Sequence, residues 1–280
     1  MPRDGDFELV TLRNGARAVR HLGHGEVMHP SIGPWQEAQA LYVAQSRLRE
    51  QLAEPGAPLC VWDIGLGAGT NAVAALTAAR DLGAAQRRAL IVHSFEIDLA
   101  PLRLALADHE GFPFLRPFSS AAAALAETGT WREGKLHWRL SLGDAQALWQ
   151  SASPQPDIIF FDPFSPASNP ALWTPAAFAG LRARASERCA LYTYSAATPT
   201  RVSLLLGGFF VGTGDATGRK QETTVAATRL ELLARPLDQR FIARWERSAS
   251  KAPHGLLLEP AMERALREHV QFGNVAPGAR

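Results

Sequence analysis

Three features of the sequence predict an α/β fold with a mostly parallel sheet covered on both faces. Residues 59–62 form a short apolar run that breaks into Asp63-Ile64-Gly65-Leu66-Gly67-Ala68-Gly69-Thr70 and continues as the alanine-rich, proline-free stretch 71–80, the pattern of a buried strand, a glycine turn and a helix. Asp157-Ile158-Ile159-Phe160-Phe161-Asp162 is nearly all apolar, as a strand buried on both faces must be, and so reads as central. Around these segments strand-like and helix-like patterns alternate, which is the arrangement that builds a parallel sheet.

The elements follow in chain order. Residues 7–20 alternate apolar and polar side chains about Asn14-Gly15, a strong short-range hairpin signal. The breaker cluster His29-Pro30-Ser31-Ile32-Gly33-Pro34 precedes a helix over 35–50, with Leu41, Leu48 and Leu52 on or near its apolar face. Glu54-Pro55-Gly56-Ala57-Pro58 ends that helix and starts the first core strand. Residues 88–96 read as the second strand, 99–109 and 119–127 as helices, and 136–142 as the third strand, ending at Gly143-Asp144. The apolar run to Asp162 is the fourth strand and 190–195 the fifth, with a helix over 198–206. Residues 209–212 and 223–228 make a closing pair, joined by the loop 214–221. Two amphipathic helices over 237–246 and 260–272 come last, without an assignable role. The chain thus divides into an N-terminal extension, 1–57, a core, 58–230, and a helical C-terminal segment, 231–280.

Composition narrows the function classes. A hydrophobic fraction of 46% and a charged fraction of 20% over 280 residues are those of a globular protein with a sizeable core, and no apolar run is long enough to span a bilayer. The first residues lack the basic segment and apolar core of a secretory signal. Cys60 and Cys189 lie inside apolar runs and read as buried free thiols, and no Cys-x-x-Cys or His-Glu-x-x-His motif supports a metal site. These features point to the cytoplasm and to no membrane partner. A net charge of +2 does not announce a polyanion partner, although basic residues gathered on one face would admit one.

Glycines at 65, 67 and 69 let backbone approach a ligand and present amide donors at a helix N-terminus. A dinucleotide fingerprint needs its third glycine one position later, where this chain has Thr70. The Asp-x-Gly-x-Gly-x-Gly spacing resembles instead the first motif of the Rossmann-like S-adenosylmethionine-dependent methyltransferases, and a functionless tight turn is the alternative. In an open parallel sheet ligands bind at the carboxyl ends of the strands, where this chain has Asp63, Glu96, Asp98, Asp144 and Asp162. Glu96 is placed to accept both ribose hydroxyls of a nucleoside and Asp144 to accept from the adenine amino group. Each carboxylate read alone is better explained by capping of the following helix; the ordered set favours a cofactor.

The stretch from Asp162 to Thr174 contains Pro163, Pro166 and Pro170 and forms a stiff loop where substrate meets cofactor. Asp162 can accept from an attacking nitrogen, and Phe164 or Trp173 can stack on a base; a packed surface loop with an aromatic plug is the plain alternative. The loop resembles in outline the Asp-Pro-Pro-aromatic loop of amino methyltransferases. Together, Asp162-x-Phe164-Ser165-Pro166-x-x-Asn169-Pro170-x-Leu172-Trp173-Thr174, then Thr193-Tyr194-Ser195-Ala196, then Gly218-Arg219-Lys220 before Thr224-Val225-Ala226, resemble the tRNA 5-methylaminomethyl-2-thiouridine methyltransferases, the MnmD-like enzymes and the methyltransferase half of bifunctional MnmC. The likeness runs from the N-terminal hairpin through Thr228 and departs from the family at Pro163 and at Gln221-Glu222.

The resemblance implies a Rossmann-like methyltransferase sheet with an N-terminal β-hairpin extension and S-adenosyl-L-methionine as cofactor. It also implies N-methylation of 5-aminomethyl(-2-thio)uridine at the wobble position of a tRNA anticodon. The flavin-dependent second domain of the bifunctional relatives has no counterpart motif after Thr228, so a separate enzyme is expected to supply the aminomethyl tRNA. The expected cofactor residues are Asp63, Gly65, Gly67, Gly69, Glu96, Asp144 and Asp162. Asp162 is also expected to orient the nitrogen and take its proton. Phe164, Trp173, Tyr194 and Ser195 are expected to line the substrate pocket, and Arg219 and Lys220 either to contact phosphate or to form a solvated hairpin tip. Methylation of a small molecule or protein, a polyamine synthase of related fold, and a non-catalytic nucleotide- or RNA-binding module remain the competing readings.

Overall fold

The computed structural model describes residues 3–28, 33–217 and 221–273. The chain begins with a small antiparallel sheet of β1 (Arg3–Asp4), β2 (Phe7–Thr11) and β3 (Arg17–His21), in which the two longer strands form the hairpin expected at Asn14-Gly15. The helix expected over 35–50 is interrupted: a single turn, α1 (Pro34–Glu37), runs into a π-helical segment Ala38–Ala44, and α2 (Leu48–Ala53) starts after Arg47, whose φ of 52° is left-handed. Ser46 is the local cause, since its hydroxyl donates to the carbonyls of Tyr42 and Val43 and competes with the backbone amides that would continue the helix. Leu41, Leu48 and Leu52 are nonetheless fully buried.

The core follows as β4 (Leu59–Ile64), α3 (Thr70–Asp81), β5 (Leu90–Glu96), α4 (Ala100–Ala107), α5 (Ser119–Thr128), β6 (Thr130–Glu133), β7 (Leu136–Leu142), α6 (Ala145–Leu148), β8 (Ile158–Phe161), α7 (Pro175–Arg184), β9 (Ala190–Thr193), α8 (Thr198–Leu206), β10 (Phe210–Gly214) and β11 (Thr223–Ala227). Eight strands form one sheet in the order β10-β11-β9-β8-β4-β5-β7-β6. The five from β9 to β7 are parallel, and the outer pairs are antiparallel. From β4 the chain builds outward to β5 and β7, then returns to the other side of β4 with β8 and β9. The order therefore reverses between β4 and β8, and a ligand crevice opens there.

Alternation along β4 and β8 divides the core. Leu59, Val61, Ile158 and Phe160 face α3, α4, α5 and the N-terminal segment, whereas Cys60, Trp62, Ile64, Ile159 and Phe161 face α7 and α8. α3 is alanine-rich and sits flush on the first face, with nine of its residues buried. Cys60 and Cys189 are buried free thiols. The sequence pattern does not mark β6, because Thr-Trp-Arg-Glu lies exposed at the sheet edge and carries no apolar alternation. No helix among the described residues is long and apolar enough to cross a membrane.

The C-terminal segment carries α9 (Gln239–Arg247) and α10 (Pro260–Arg267), the second shorter than its sequence pattern. Both pack on the α7/α8 face: Phe241, Ile242, Trp245, Leu266 and Phe272 join the same buried cluster as Trp62 and Phe161. Past α10 the chain turns so that the buried amide of Gln271 closes the edge of the sheet. Its Oε1 accepts from the Val211 N–H at 2.7 Å, and its Nε2 donates to the carbonyls of Val211 at 2.7 Å and Leu237 at 2.8 Å. Gln271→Ala would leave the buried Val211 N–H without its partner and remove two further bonds to carbonyls, so urea unfolding should register a loss of about 2–4 kcal/mol in one cooperative transition. A loss below about 0.5 kcal/mol, the usual range for a surface change, would mean that Gln271 does not close the edge.

Candidate active site

At the carboxyl ends of β4, β5, β7 and β8, under the N-terminal sheet, lies a cavity of about 890 Å³, within the range of small-molecule and cofactor sites. Its floor is the glycine turn. Gly65, at φ 91°, runs so close to the β8 loop that a Cβ there would sit 2.7 Å from the Asp162 carbonyl oxygen. Gly67, at φ 53°, faces the N-terminal extension, where a Cβ would sit 3.1 Å from Met28 Sδ. Gly69 caps α3 at φ 80° but faces Leu102 and Leu115 rather than the cavity.

The strand-end carboxylates play different parts. Asp63 is fully buried and accepts from Ser94 Oγ at 2.7 Å, while Ser94 accepts from Trp138 Nε1 at 3.0 Å; this chain pins the ends of β4, β5 and β7 together below the cavity. Glu96 lines the cavity and accepts the N–H groups of Gly67 at 2.8 Å, Ile97 at 2.7 Å and Asp98 at 3.3 Å. Burial pushes its carboxyl above the ordinary glutamate value, against the downward pull of those three amides. Glu96 thereby shapes the glycine turn as well as facing a ligand. Asp144 lines the cavity and also caps α6, accepting from the Gln146 N–H at 2.9 Å, so the capping and the ligand-facing readings hold at once.

Asp162 lines the opposite wall, and its carboxylate accepts from Asn71 Nδ2 at 2.7 Å. Tyr42, fully buried in the π-helical segment, is held well above its ordinary pKa by burial first and then by the nearby Asp162 and Glu37 charges. Tyr194 lines the cavity and donates its hydroxyl to the Pro163 carbonyl at 3.2 Å; burial and then Asp162 raise its pKa as well. Phe164 presents its ring to the cavity, held by Phe7 at 6.4 Å between centroids and by the edge of His21 at 5.7 Å.

Four expected substrate contacts need correction or fall elsewhere. Trp173 cannot stack on a base: it is fully buried and donates Nε1–H to the Phe164 carbonyl at 2.9 Å, so it braces the loop from below. Ser195 does not line the cavity and bonds to Thr200 Oγ1 at 2.8 Å. Arg219 and Lys220 lie outside the described residues. Conversely, the N-terminal sheet contributes groups that the sequence does not announce, among them His21, His24, Met28 and Glu26. Glu26 ties that sheet to the β8 loop by accepting from the Ser165 N–H at 2.9 Å, from Ser165 Oγ at 2.9 Å and from Ser168 Oγ. No local sequence signal marks Glu26, whose partners lie some 140 residues away. Asn71 has such a signal, being a buried polar residue in the first turn of an alanine-rich helix.

The lining is strongly acidic. Asp6, Glu26, Glu37, Glu96, Asp98, Asp144 and Asp162 supply seven carboxylates, and among the described lining residues there is no Lys or Arg. Such a pocket favours cations. S-adenosyl-L-methionine, the group implied by the sequence, fits these residues: the glycine turn admits close backbone approach, Glu96 and Asp144 offer hydrogen-bond acceptors, and the carboxylates suit its sulfonium. Glu96→Gln should weaken cofactor binding by about 10- to 100-fold, the worth of a hydrogen bond to a charged acceptor. Because burial raises the Glu96 pKa, wild-type affinity should fall on acidification at a higher pH than that at which exposed glutamates protonate, and the Gln variant should lose that dependence. Calorimetry across pH decides this, and equal affinity and equal pH dependence in the two proteins would remove Glu96 from the site.

Comparison with known proteins agrees with the geometry. Residues 115–229 match a family described as S-adenosyl-L-methionine-dependent methyltransferase. The chain is 30% identical over 235 residues, 78% of its length, to the tRNA 5-methylaminomethyl-2-thiouridine biosynthesis bifunctional protein MnmC of Pseudomonas aeruginosa (strain UCBPP-PA14), and spans 35% of that protein. It is likewise 30% identical over 243 residues, 83% of its length, to the MnmC of Cupriavidus necator, of which it spans 36%. The chain thus spans about a third of the length of these curated relatives. The crystal structure of MNMC2 from Aquifex aeolicus superimposes with a TM-score of 0.72 at 24% identity, covering 94% of this chain and 81% of that one, and shares the fold. Residues 115–229 thus match the S-adenosyl-L-methionine-dependent methyltransferase family, and the chain as a whole is similar to the part of MnmC that it spans.

Proposed function

We propose that this protein N-methylates the 5-aminomethyl group of the wobble uridine in tRNA, with or without 2-thiolation, giving 5-methylaminomethyl(-2-thio)uridine. The observation that carries the reading is the acid-lined cavity, which selects a cationic acceptor such as an alkylammonium over a neutral hydroxyl or an acid. The names of the relatives, which place MnmC in 5-methylaminomethyl-2-thiouridine biosynthesis on tRNA, support the choice of acceptor. The amine must be made free before it can be methylated, and we assign that step to a separate enzyme, in the cytoplasm where the tRNA resides.

S-adenosyl-L-methionine supplies, when bound, a methyl group on a sulfonium sulfur. The protein's own task is to deliver a neutral nitrogen to it. An alkylamine is mostly protonated near neutral pH and has no lone pair to donate. The carboxylates that attract the ammonium also hold its proton on, so removal falls to a positioned acceptor rather than to bulk water. Asp162 is that acceptor: Asn71 orients its carboxylate from below, and it faces the cavity at the mouth of the stiff loop. Phe164 and Tyr194 flank the same wall and give the uracil ring an aromatic surface. The latch from Glu26 to Ser165 and Ser168 holds the N-terminal sheet over the reacting groups and limits water.

The test is transfer of labelled methyl from S-adenosyl-L-methionine to tRNA carrying the aminomethyl group, followed by nucleoside analysis. Label is expected in 5-methylaminomethyl(-2-thio)uridine. Asp162→Asn keeps the size of the side chain but removes its charge, and should slow single turnover by about a hundredfold or more while leaving cofactor affinity nearly unchanged. Label that enters a small amine or a protein but not this tRNA would overturn the reading, and an undiminished rate in the variant would remove Asp162 as the proton acceptor.

A further inference from the structure

We infer that the outer face of α9 is the surface on which the tRNA backbone docks, an inference that rests on the tRNA reading above. The cavity itself cannot hold phosphates, since seven carboxylates line it and no Lys or Arg does among the described residues. The cations that hold a polyanion must therefore lie elsewhere. Arg240, Arg244 and Arg247 are exposed and fall at i, i+4 and i+7, in one row about 10 Å long. Phe241, Ile242 and Trp245, on the other side of the helix, are buried in the core, so the row is mounted on a fixed platform.

Pairing separates this row from several other arginines, and its regular spacing on one helix from those that are unpaired but scattered. Arg17, Arg20, Arg49 and Arg201 are occupied by Asp108, Glu8, Asp81 and Glu222 at 2.9–3.1 Å. Arg240 has only Asp238 at 4.0 Å, and neither Arg244 nor Arg247 has a carboxylate partner among the described residues. From Gln239 to Arg267 the sequence carries six basic and three acidic residues, a surplus larger than the net +2 of the whole chain. The segment after α9 also runs back to the active-site side. Trp245 Nε1 donates to the Lys251 carbonyl at 2.9 Å, and His254 Nε2 meets Thr200 Oγ1 at 3.0 Å, which in turn bonds Ser195 at the end of β9. A backbone lying along the row is thereby held in a fixed relation to the substrate loop.

The measurement is binding of an unmodified tRNA transcript to the full-length protein as a function of salt, with the triple variants Arg240→Gln/Arg244→Gln/Arg247→Gln and Arg240→Lys/Arg244→Lys/Arg247→Lys. Removing one arginine–phosphate pair should reduce the salt slope by about 0.7–0.9, so the Gln variant should show a slope smaller by about two units or more and an affinity at least about tenfold weaker at moderate salt. The Lys variant should keep most of both, because holding a phosphate needs the charge and not the fork. Cofactor affinity and melting temperature should match wild type in both, and methyl transfer at saturating tRNA should show an unchanged kcat with a raised KM in the Gln variant. Wild-type slope and affinity in the Gln variant would overturn the docking surface while leaving the tRNA reading intact. Failure of the wild-type protein to bind tRNA would overturn both.

Discussion

The contact on which the active site depends is the one between Gly65 and the Asp162 carbonyl. β4 and β8 are neighbours in the sheet, yet the chain departs from β4 in one direction and reaches β8 only after building β5 and β7. Two loops leave the same spot in opposite senses, and a crevice opens between them. At that spot the glycine turn and the β8 loop leave no room for a side chain. The glycine turn and the Asp162 carboxylate are consequently one rigid unit, strengthened by the Asn71 amide on Asp162.

Around that unit, burial decides which polar groups act on ligands and which hold the frame. Asp63 is consumed below the floor by Ser94, and Trp173 below the loop by the Phe164 carbonyl. Glu96 sits between the two roles, accepting three backbone amides while facing the cavity. The N-terminal sheet completes the walls from outside the core, through Phe7 and His21 on Phe164 and through Glu26 on the serines of the loop. The result is an acidic chamber suited to cationic ligands.

Much of this is legible in the sequence, for physical reasons that can be named. Strand β8 and the turn after β4 carry their own signals, since a strand buried on both faces must be apolar and a backbone at positive φ favours glycine. Strand β7 and helix α8 fall where the pattern places them, at Leu136–Leu142 and Thr198–Leu206. What the pattern misses is set by contacts distant in the chain. Glu26 and Tyr42 reach the site only through tertiary packing, and the break near Ser46 comes from a side-chain hydroxyl that helix periodicity does not register. Trp173 illustrates the opposite error: an aromatic residue in a ligand loop suggests stacking, but its indole N–H finds a partner inside the fold. α10 ends at Arg267, four residues before Gln271, whose amide serves as an extra rung on β10.

The most direct test of the account is to fill the gap between the two loops with one methyl group. In Gly65→Ala the new Cβ meets the Asp162 carbonyl oxygen at 2.7 Å and sits on a backbone at φ 91°, so the turn and the β8 loop must part to relieve a strain of about 1–3 kcal/mol. Calorimetric titration with S-adenosyl-L-methionine, alongside a melting curve, should find a protein that remains folded but binds the cofactor at least about tenfold more weakly, and whose methyl transfer falls further than binding alone explains. Wild-type affinity and turnover in a stably folded Gly65→Ala protein would contradict the claim that this contact organises the site.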